Sequence, residues 1–341
     1  MATIKDIAKL SGFSIGTVSR VINNRADVSP ATREIIEKVI REQNFQPNTN
    51  AKRLKQTMFS PVTIIVKGIG NIFLDSVLEE IQISMHMHGE STSVTFLEET
   101  TNCVGEAAKI VAAENPKGLI FLGGSLKNFR KDFGAVHIPS VLVTGSASVL
   151  GYENLSSFTT DDYQASRDAV EHLIHAGHRR IGILGGYPES WPEDIGALRL
   201  KGAMDVLDAA DTGFVKERDY EPCSFTPAAG YDAAQHLLQR TPDLTALFAI
   251  GDLLAVGAMK GLQDLGYRVP DDVSVIGFDG IPFTGYTSPR LATIRQDTAV
   301  LAKKTVEDLL LRMSYQRAAV HETIPYHFVE GESIAVRHSS V

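Results

Sequence analysis

Apolar positions recur at spacings of three and four along the first forty residues, and then the rhythm changes. Ile4, Ile7 and Ala8 make one stripe and Val18, Val21 and Ile22 a second, which predicts two short helices that each turn one face inward. Thr3 is placed to cap the first helix, with Asp6 three residues on in the capping-box position. Gly12, between the stripes, is free to take positive φ, and Ser14 caps the second helix. Ser29-Pro30 is a cap followed by a proline at the first helical position. It opens a third predicted helix with Ile35, Ile36, Val39 and Ile40 on one face.

From Pro61 onward, short β-branched runs alternate with helical stretches. Strands are predicted at 62–66, 93–97, 118–122, 139–143, 181–184, 246–250 and 273–278. Helices are predicted at 73 to about 88, 104–113, 163–176, 197–210, 228–239 and 253–265. Apolar strands too short to alternate, each followed by a helix, indicate parallel sheets covered on both faces. Two such sets predict two doubly wound α/β subdomains with a cleft between them. Ligands in open sheets of this kind bind beyond the carboxyl ends of the strands.

The exposed face of the second helix has chemistry suited to reading DNA. Arg20 can pair with guanine through two parallel hydrogen bonds, and Ile15 and Thr17 offer apolar contact to a thymine methyl. A short basic stretch, 45–55, follows the third helix, and its apolar side is too narrow to rest on a core. Charge divides the chain in the same way. Residues 1–60 carry a net +5 and the remainder −13, for −8 in all. Positive charge confined to one module lets an acidic protein meet nucleic acid through that module alone.

These segments resemble the headpiece and hinge of the lactose-repressor/galactose-repressor (LacI/GalR) family of bacterial transcription regulators. The matching runs are T-I-K-D-I-A-K-L-S-G-F-S, T-V-S-R-V-I-N-N, V-S-P-A-T-R and P-N-T-N-A-K-R-L, all between residues 3 and 55. The resemblance implies a helix-turn-helix headpiece at 1–46, a hinge helix and linker at 47–60, and an effector-binding and dimerisation core at 61–341. It assigns DNA contacts to Thr3, Ser14, Ile15, Gly16, Thr17, Ser19, Arg20 and Asn23. In the hinge it assigns them to Asn50, Ala51, Leu54 and Lys55, with Leu54 as an apolar wedge that kinks a minor-groove step. The implied core is that of periplasmic binding proteins. Its first subdomain is expected at about 61–158 plus 291–319, and its second at about 159–290 plus 320–341.

Further family-like runs lie in the core: G-H-R-R-I-G from Gly177, R-L-K-G from Arg199 and S-V-I-G-F-D from Ser274. By that resemblance Arg199 and Asp279 hydrogen-bond an effector, while Phe73 and Phe225 wall it. Asp161, Asp162, Trp191 and Asp252 are further candidates. An arginine, a carboxylate and flat apolar walls suit a polyhydroxylated ring such as a sugar. The chain also departs from the family, with Gly251 where many members carry an amide, Gly280 where many carry a second aspartate, and Thr144-Gly145 where an Asp-Arg pair is common.

Other constellations point nowhere. Gly68-Ile69-Gly70 lacks the third glycine of a dinucleotide fingerprint, and no Gly-Lys-Ser/Thr phosphate loop or nucleophile elbow is present. His86 and His88 on a helix point about 200° apart and cannot share a metal. His172, His175 and His178 read as a solvated face or helix cap, and Cys103 and Cys223 as small hydrophobes in a reducing compartment. No metal, cofactor or enzymatic activity is expected, and no signal peptide or membrane span is read. The whole predicts a cytoplasmic homodimeric repressor of a pseudo-palindromic operator, controlled by a sugar-like effector. An exported solute-binding protein and a Rossmann-like enzyme are the alternatives. The absence of leucine heptads at the end of the chain favours a dimer over a tail-built tetramer.

Overall fold

The computed structural model describes residues 4–22, 28–43, 60–187 and 191–337. The chain divides into two units, Met1–Phe59 and Ser60–Val341. In the first, α1 (Ile4–Ser11), α2 (Ile15–Ile22) and α3 (Pro30–Glu42) bring Ile7, Ala8, Val18, Val21 and Ile36 into a small core. So few apolar side chains leave local devices with a large share of the stability. Gly12 turns the chain at φ +73°. Ser14 Oγ accepts the Thr17 N–H at 3.1 Å, and Ser29 Oγ accepts the Thr32 N–H at 3.2 Å. Each such cap is worth about 1 kcal/mol. Ile35, expected to face inward, is 48% exposed, because the buried face of α3 runs through Ile36, Val39 and Ile40. Thr3, Asn23 and the hinge candidates Asn50, Ala51, Leu54 and Lys55 lie outside the described residues.

The second unit is built from two six-stranded sheets. The first contains β1 (Val62–Lys67), β2 (Thr92–Leu97), β3 (Leu119–Leu122), β4 (Ser140–Val143) and β5 (Leu155–Thr160). Between these strands run α4 (Ile72–Met87), α5 (Cys103–Glu114) and α6 (Leu126–Asp132). The chain then crosses to the second subdomain with α7 (Asp162–His175), β6 (Ile181–Leu184), α8 (Ile195–Ala209), α9 (Lys216–Asp219), β7 (Tyr220–Glu221) and α10 (Pro227–Arg240). β8 (Ala246–Ala249), α11 (Asp252–Asp264), β9 (Ser274–Asp279) and β10 (Ala292–Gln296) complete its parallel part. α12 (Thr298–Ser314) and β11 (His321–Ile324) return to the first subdomain, and β12 (Tyr326–Val329) ends in the second.

The strand orders are β11-β5-β4-β3-β1-β2 and β12-β10-β9-β8-β6-β7. All pairs are parallel except β12 with β10. Both halves therefore reverse direction beside their first strand, at β1/β3 and at β6/β8, and a crevice opens at such a reversal. Alternate residues of β1 and β3 serve opposite faces. Ile64, Val66, Ile120 and Leu122 pack under α4 and α12, whereas Ile65, Leu119 and Phe121 pack under α5 and α6. A strand covered on both sides reads as an unbroken apolar run.

Two expected boundaries move. β10 belongs to the second sheet and β11 to the first, so the late crossings fall at Asp297 and Pro325, not near 290 and 319. β11 and β12 are short and half polar, and carry little pattern to read. Arg312 holds α12 to the first subdomain through Ser140 O, Ser156 Oγ and Glu153 O, at 2.9–3.1 Å. His178, expected on a solvated face, is fully buried between Thr245 Oγ1 and Ala335 O. Among the described residues no helix is long and apolar enough to cross a membrane.

Close helix packing in the second subdomain rests on glycine. A Cβ at Gly257 of α11 would lie 1.9 Å from Pro227 O at the start of α10, backbone against backbone. Gly257→Ala is therefore expected to destabilise the core by about 1–3 kcal/mol, lowering the thermal midpoint by about 2–4 °C per kcal/mol. Gly134→Ala, where a Cβ meets nothing within 4 Å, should leave the midpoint in place. Differential scanning calorimetry of the two variants checks the contrast.

Candidate functional site

The crevices at the two strand-order reversals face each other across one cleft of about 310 Å³. The first subdomain supplies Lys67, Glu98, Glu99 and Thr144 from strand ends, Phe73 from α4, and Ser125 from the turn into α6. Tyr187, Asp194, Arg199, Phe225 and Asp279 come from the second subdomain. Four of the eight effector candidates thus line the cleft: Phe73, Arg199, Phe225 and Asp279.

Arg199 is the centre of the second wall. Its guanidinium is 2% exposed and lies 3.7 Å above the Phe278 ring. Nε donates to Asp162 Oδ1 at 2.7 Å, while Nη1 donates to Ile250 O at 2.7 Å and to Asp279 Oδ1 at 3.1 Å. Burial works against the charge, but Asp279 and Asp162 together hold the guanidinium pKa above its ordinary value. The pKa values of the two carboxyls rise as well, which for an acid disfavours the charged form. Burial pushes Asp162 up to about 6, although Arg199 pulls it down, and it raises Asp279 for the same reason. Gln296 Nε2 donates a further bond to Asp279 Oδ1 at 2.8 Å. None of these contacts uses Nη2 of Arg199.

The backbone under this cluster is strained. Asp279 has φ +116° and Gly280 φ +73°. A non-glycine residue held at such a φ costs of order 1–3 kcal/mol and persists only where its surroundings hold it. Asp252 does the holding: Oδ2 accepts the N–H groups of Gly280 at 2.6 Å and Ile281 at 2.8 Å, and Oδ1 accepts the Thr293 hydroxyl at 2.6 Å. Fully buried, its carboxyl is pushed well above the usual carboxylate range. Asp252 is not in the cleft wall. It anchors the loop that carries Asp279.

The remaining three candidates also lie elsewhere. Asp162 sits behind Arg199 as its ion partner, and Asp161 caps α7 through Gln164 N at 2.9 Å. Trp191 packs against the core of the first subdomain, with the Arg130 guanidinium 5.4 Å from its ring centroid. Two of the three departures noted in the sequence have local reasons. A Cβ at Gly251 would lie 3.1 Å from Phe225 Cδ1, so an amide there would crowd the ring. At Gly280 a Cβ would fall 2.2 Å from Arg295 Cγ. Thr144 is buried at φ +73°.

Sequence reading missed Lys67, Glu98, Glu99, Ser125, Tyr187 and Asp194. Each lies at a strand end or helix start, and that placement was the available signal. Tyr187 reaches Glu99 across the cleft at 3.4 Å, and burial raises the Glu99 pKa despite that bond and nearby Lys67. Among the described residues no group of three His, Cys, Asp or Glu is placed to hold a metal ion.

In the first unit, Ser14, Ile15, Gly16 and Arg20 lie on the exposed face of α2, with Thr17 and Ser19 half-buried beside them. Ile15 is 47% exposed, far more than an apolar residue of a three-helix core needs. The chemistry of this face is a cation, hydroxyls and an exposed aliphatic side chain on one short helix.

Comparison with known proteins meets both units. Residues 3–48 match the family model described as bacterial regulatory proteins, lacI family, and residues 170–334 match a periplasmic binding protein-like domain. The chain is 30% identical over 339 residues to the HTH-type transcriptional regulator MalR of Clostridium butyricum, covering 97% of this chain and 98% of that one. It is also 30% identical over 352 residues to the HTH-type transcriptional repressor PurR of Edwardsiella ictaluri, at 98% and 97% coverage. The structure of the transcriptional regulator CelR in complex with cellobiose superposes with a TM-score of 0.69, at 26% identity, over 98% of this chain and 100% of that one. With a helix-turn-helix unit, a two-subdomain core and full-length relatives of this closeness, the chain belongs to the LacI family of bacterial regulatory proteins and is a DNA-binding transcriptional regulator.

Proposed function

We propose that this regulator is a cytoplasmic homodimeric repressor whose effector is a small, hydroxyl-rich molecule of the sugar class, bound in the cleft. The observation that carries the effector reading is Arg199. Its guanidinium is fixed by Asp162, Asp279 and the Ile250 carbonyl, yet Nη2 takes no part in those bonds and the side chain lines the cleft. A prepositioned donor beside the Asp279 carboxylate, with Phe73 and Phe225 in the walls, suits a polyhydroxylated ring. A volume of about 310 Å³ is at the lower end of small-molecule sites. The cellobiose in the CelR structure supports the same ligand class. Asp161 stays outside this set, and Trp191 and Asp252 support the site from beneath or beside it.

On the DNA side, Ser14, Ile15, Gly16, Thr17, Ser19 and Arg20 form the reading face, joined by Thr3 and Asn23. Leu54 wedges into the minor groove with Asn50 and Ala51 beside it, and Lys55 meets phosphate. A two-fold dimer matches two half-sites, so the operator is pseudo-palindromic. Effector binding changes how the first subdomains of the dimer meet and thereby whether residues 47–60 engage the minor groove, an order–disorder switch driven from the cleft.

Thermal unfolding of the full chain against neutral mono- and disaccharides, cellobiose among them, with sugar phosphates and nucleosides as contrasts, checks the effector class. A ligand at 100 times its dissociation constant adds about 2.7 kcal/mol. Phe225→Ala should weaken that ligand by up to about tenfold, the most that one aromatic contact contributes. A panel in which only charged ligands raise the midpoint would replace the sugar reading. Selection from randomised duplexes checks the DNA side. The full chain should enrich a two-fold symmetric site, and Arg20→Ala should relax one base position per half-site by about 1–3 kcal/mol. An asymmetric consensus would count against the dimer.

A further inference from the structure

Two N-cap residues in the core meet across the subdomains, and neither caps its own helix. Asp194 occupies the N-cap position of α8 in the second subdomain, yet its side chain makes no capping bond to α8. It reaches the first subdomain instead, where Oδ1 accepts the Leu126 N–H at 2.9 Å and Oδ2 accepts the Ser125 hydroxyl at 2.8 Å. Ser125 is itself the N-cap of α6, and it too leaves its own helix uncapped. The aspartate of one subdomain therefore caps the helix of the other.

Three residues earlier, Trp191 follows the same path. The turn that brings Trp191 to Asp194 is closed by Asp194 N donating to Trp191 O at 2.9 Å. The indole packs on the first subdomain's core, flanked by Arg130 of α6. α6 is a firm anchor, because Phe129 is fully buried with its ring 4.9 Å from that of Phe121. One feature opposes this closure: the indole Nε1 is buried with no hydrogen-bond partner among the described residues. A buried, unsatisfied donor is costly, and water would satisfy it.

We propose that Asp194, Ser125 and Trp191 form a reversible clasp that holds the two subdomains together at the cleft mouth. Reversibility follows from both residues having left their own helices. When the clasp opens, Asp194 can turn back to the first-turn N–H groups of α8 and Ser125 to those of α6, the ordinary N-cap arrangement for both residue types. Closed and open states therefore satisfy similar numbers of donors, while indole burial favours the first and the unpaired Nε1 the second. A two-state element with a small gap is what a ligand can bias. Asp194 and Ser125 both line the cleft, so a bound molecule meets the clasp directly.

Trp191 is the sole tryptophan of the chain, so emission from the full-length protein reads the clasp with no ligand present. Wild type is expected to emit as a shielded indole. Asp194→Ala should shift emission to the red and raise acrylamide quenching about two-fold or more as the open state fills, with circular dichroism unchanged. Ser125→Ala, which removes one of the two bonds, should move both signals less, and it carries the test alone if the first variant misfolds. Asp194→Asn, which keeps an acceptor oxygen, should stay nearer wild type. The double variant should match Asp194→Ala, since both changes break the same contact. Quenching in both single variants equal to wild type, or effects that simply add in the double, would overturn the clasp.

Discussion

The arginine at position 199 is a charge in a place where charges are expensive, and much of the core is arranged around keeping it there. A buried guanidinium persists only when ion partners and hydrogen bonds replace the water it has lost. Asp162 supplies one partner from the start of α7, Asp279 another from the end of β9, and Ile250 a carbonyl from the end of β8. Three elements of the second subdomain thus converge on one side chain. The left-handed backbone of Asp279 and Gly280, and the buried Asp252 beneath them, follow from the need to aim a carboxylate at that point. Removing Arg199 would strand two buried carboxyls, a far larger disturbance than the loss of a contact with an effector.

That dependence explains why fold and site were unequally legible. The helices are visible because burial imposes a period on apolar residues, and the strands 181–184 and 62–66 because burial on both faces makes them unbroken apolar runs. β5, α6, α12 and β11 are harder to read. β5 is fully buried yet rich in Ser and Thr, α6 spans only seven residues, and β11 is polar. Within the site, Arg199 and Asp279 stood in recognisable runs. Asp252 was a further candidate, but nothing in a linear pattern distinguishes a carboxylate that touches a ligand from one that holds the loop beneath it. The difference lies in whether two backbone N–H groups point at it, a fact of three dimensions. Asp194 and Ser125 carried only the signal of a helix start, where a cap for the residue's own helix is the ordinary role.

The two units also divide the electrostatic labour. The net charge of +5 in residues 1–60 stands against −13 in the rest. An acidic core draws no general affinity for phosphate, so association with DNA depends on the small headpiece and falls steeply with salt. Within the cleft the same sign prevails. Glu98, Glu99, Asp194 and Asp279 outnumber Lys67 and an Arg199 already neutralised by its partners. Such a lining disfavours anions and leaves uncharged ligands at an advantage.

The path of the chain between the two sheets has a consequence for how the protein is made. β10, α12, β11 and β12 serve the two subdomains alternately, so residues 292–329 finish both sheets at once. Neither subdomain is encoded by a continuous stretch, and neither sheet has its last strand until β11 and β12 have left the ribosome. The three helices of the first unit end at Glu42, and at roughly 5–20 residues per second they leave the ribosome about 15–60 s before the last strands. A nascent or prematurely terminated chain would therefore carry the reading helices without a sensor to govern them.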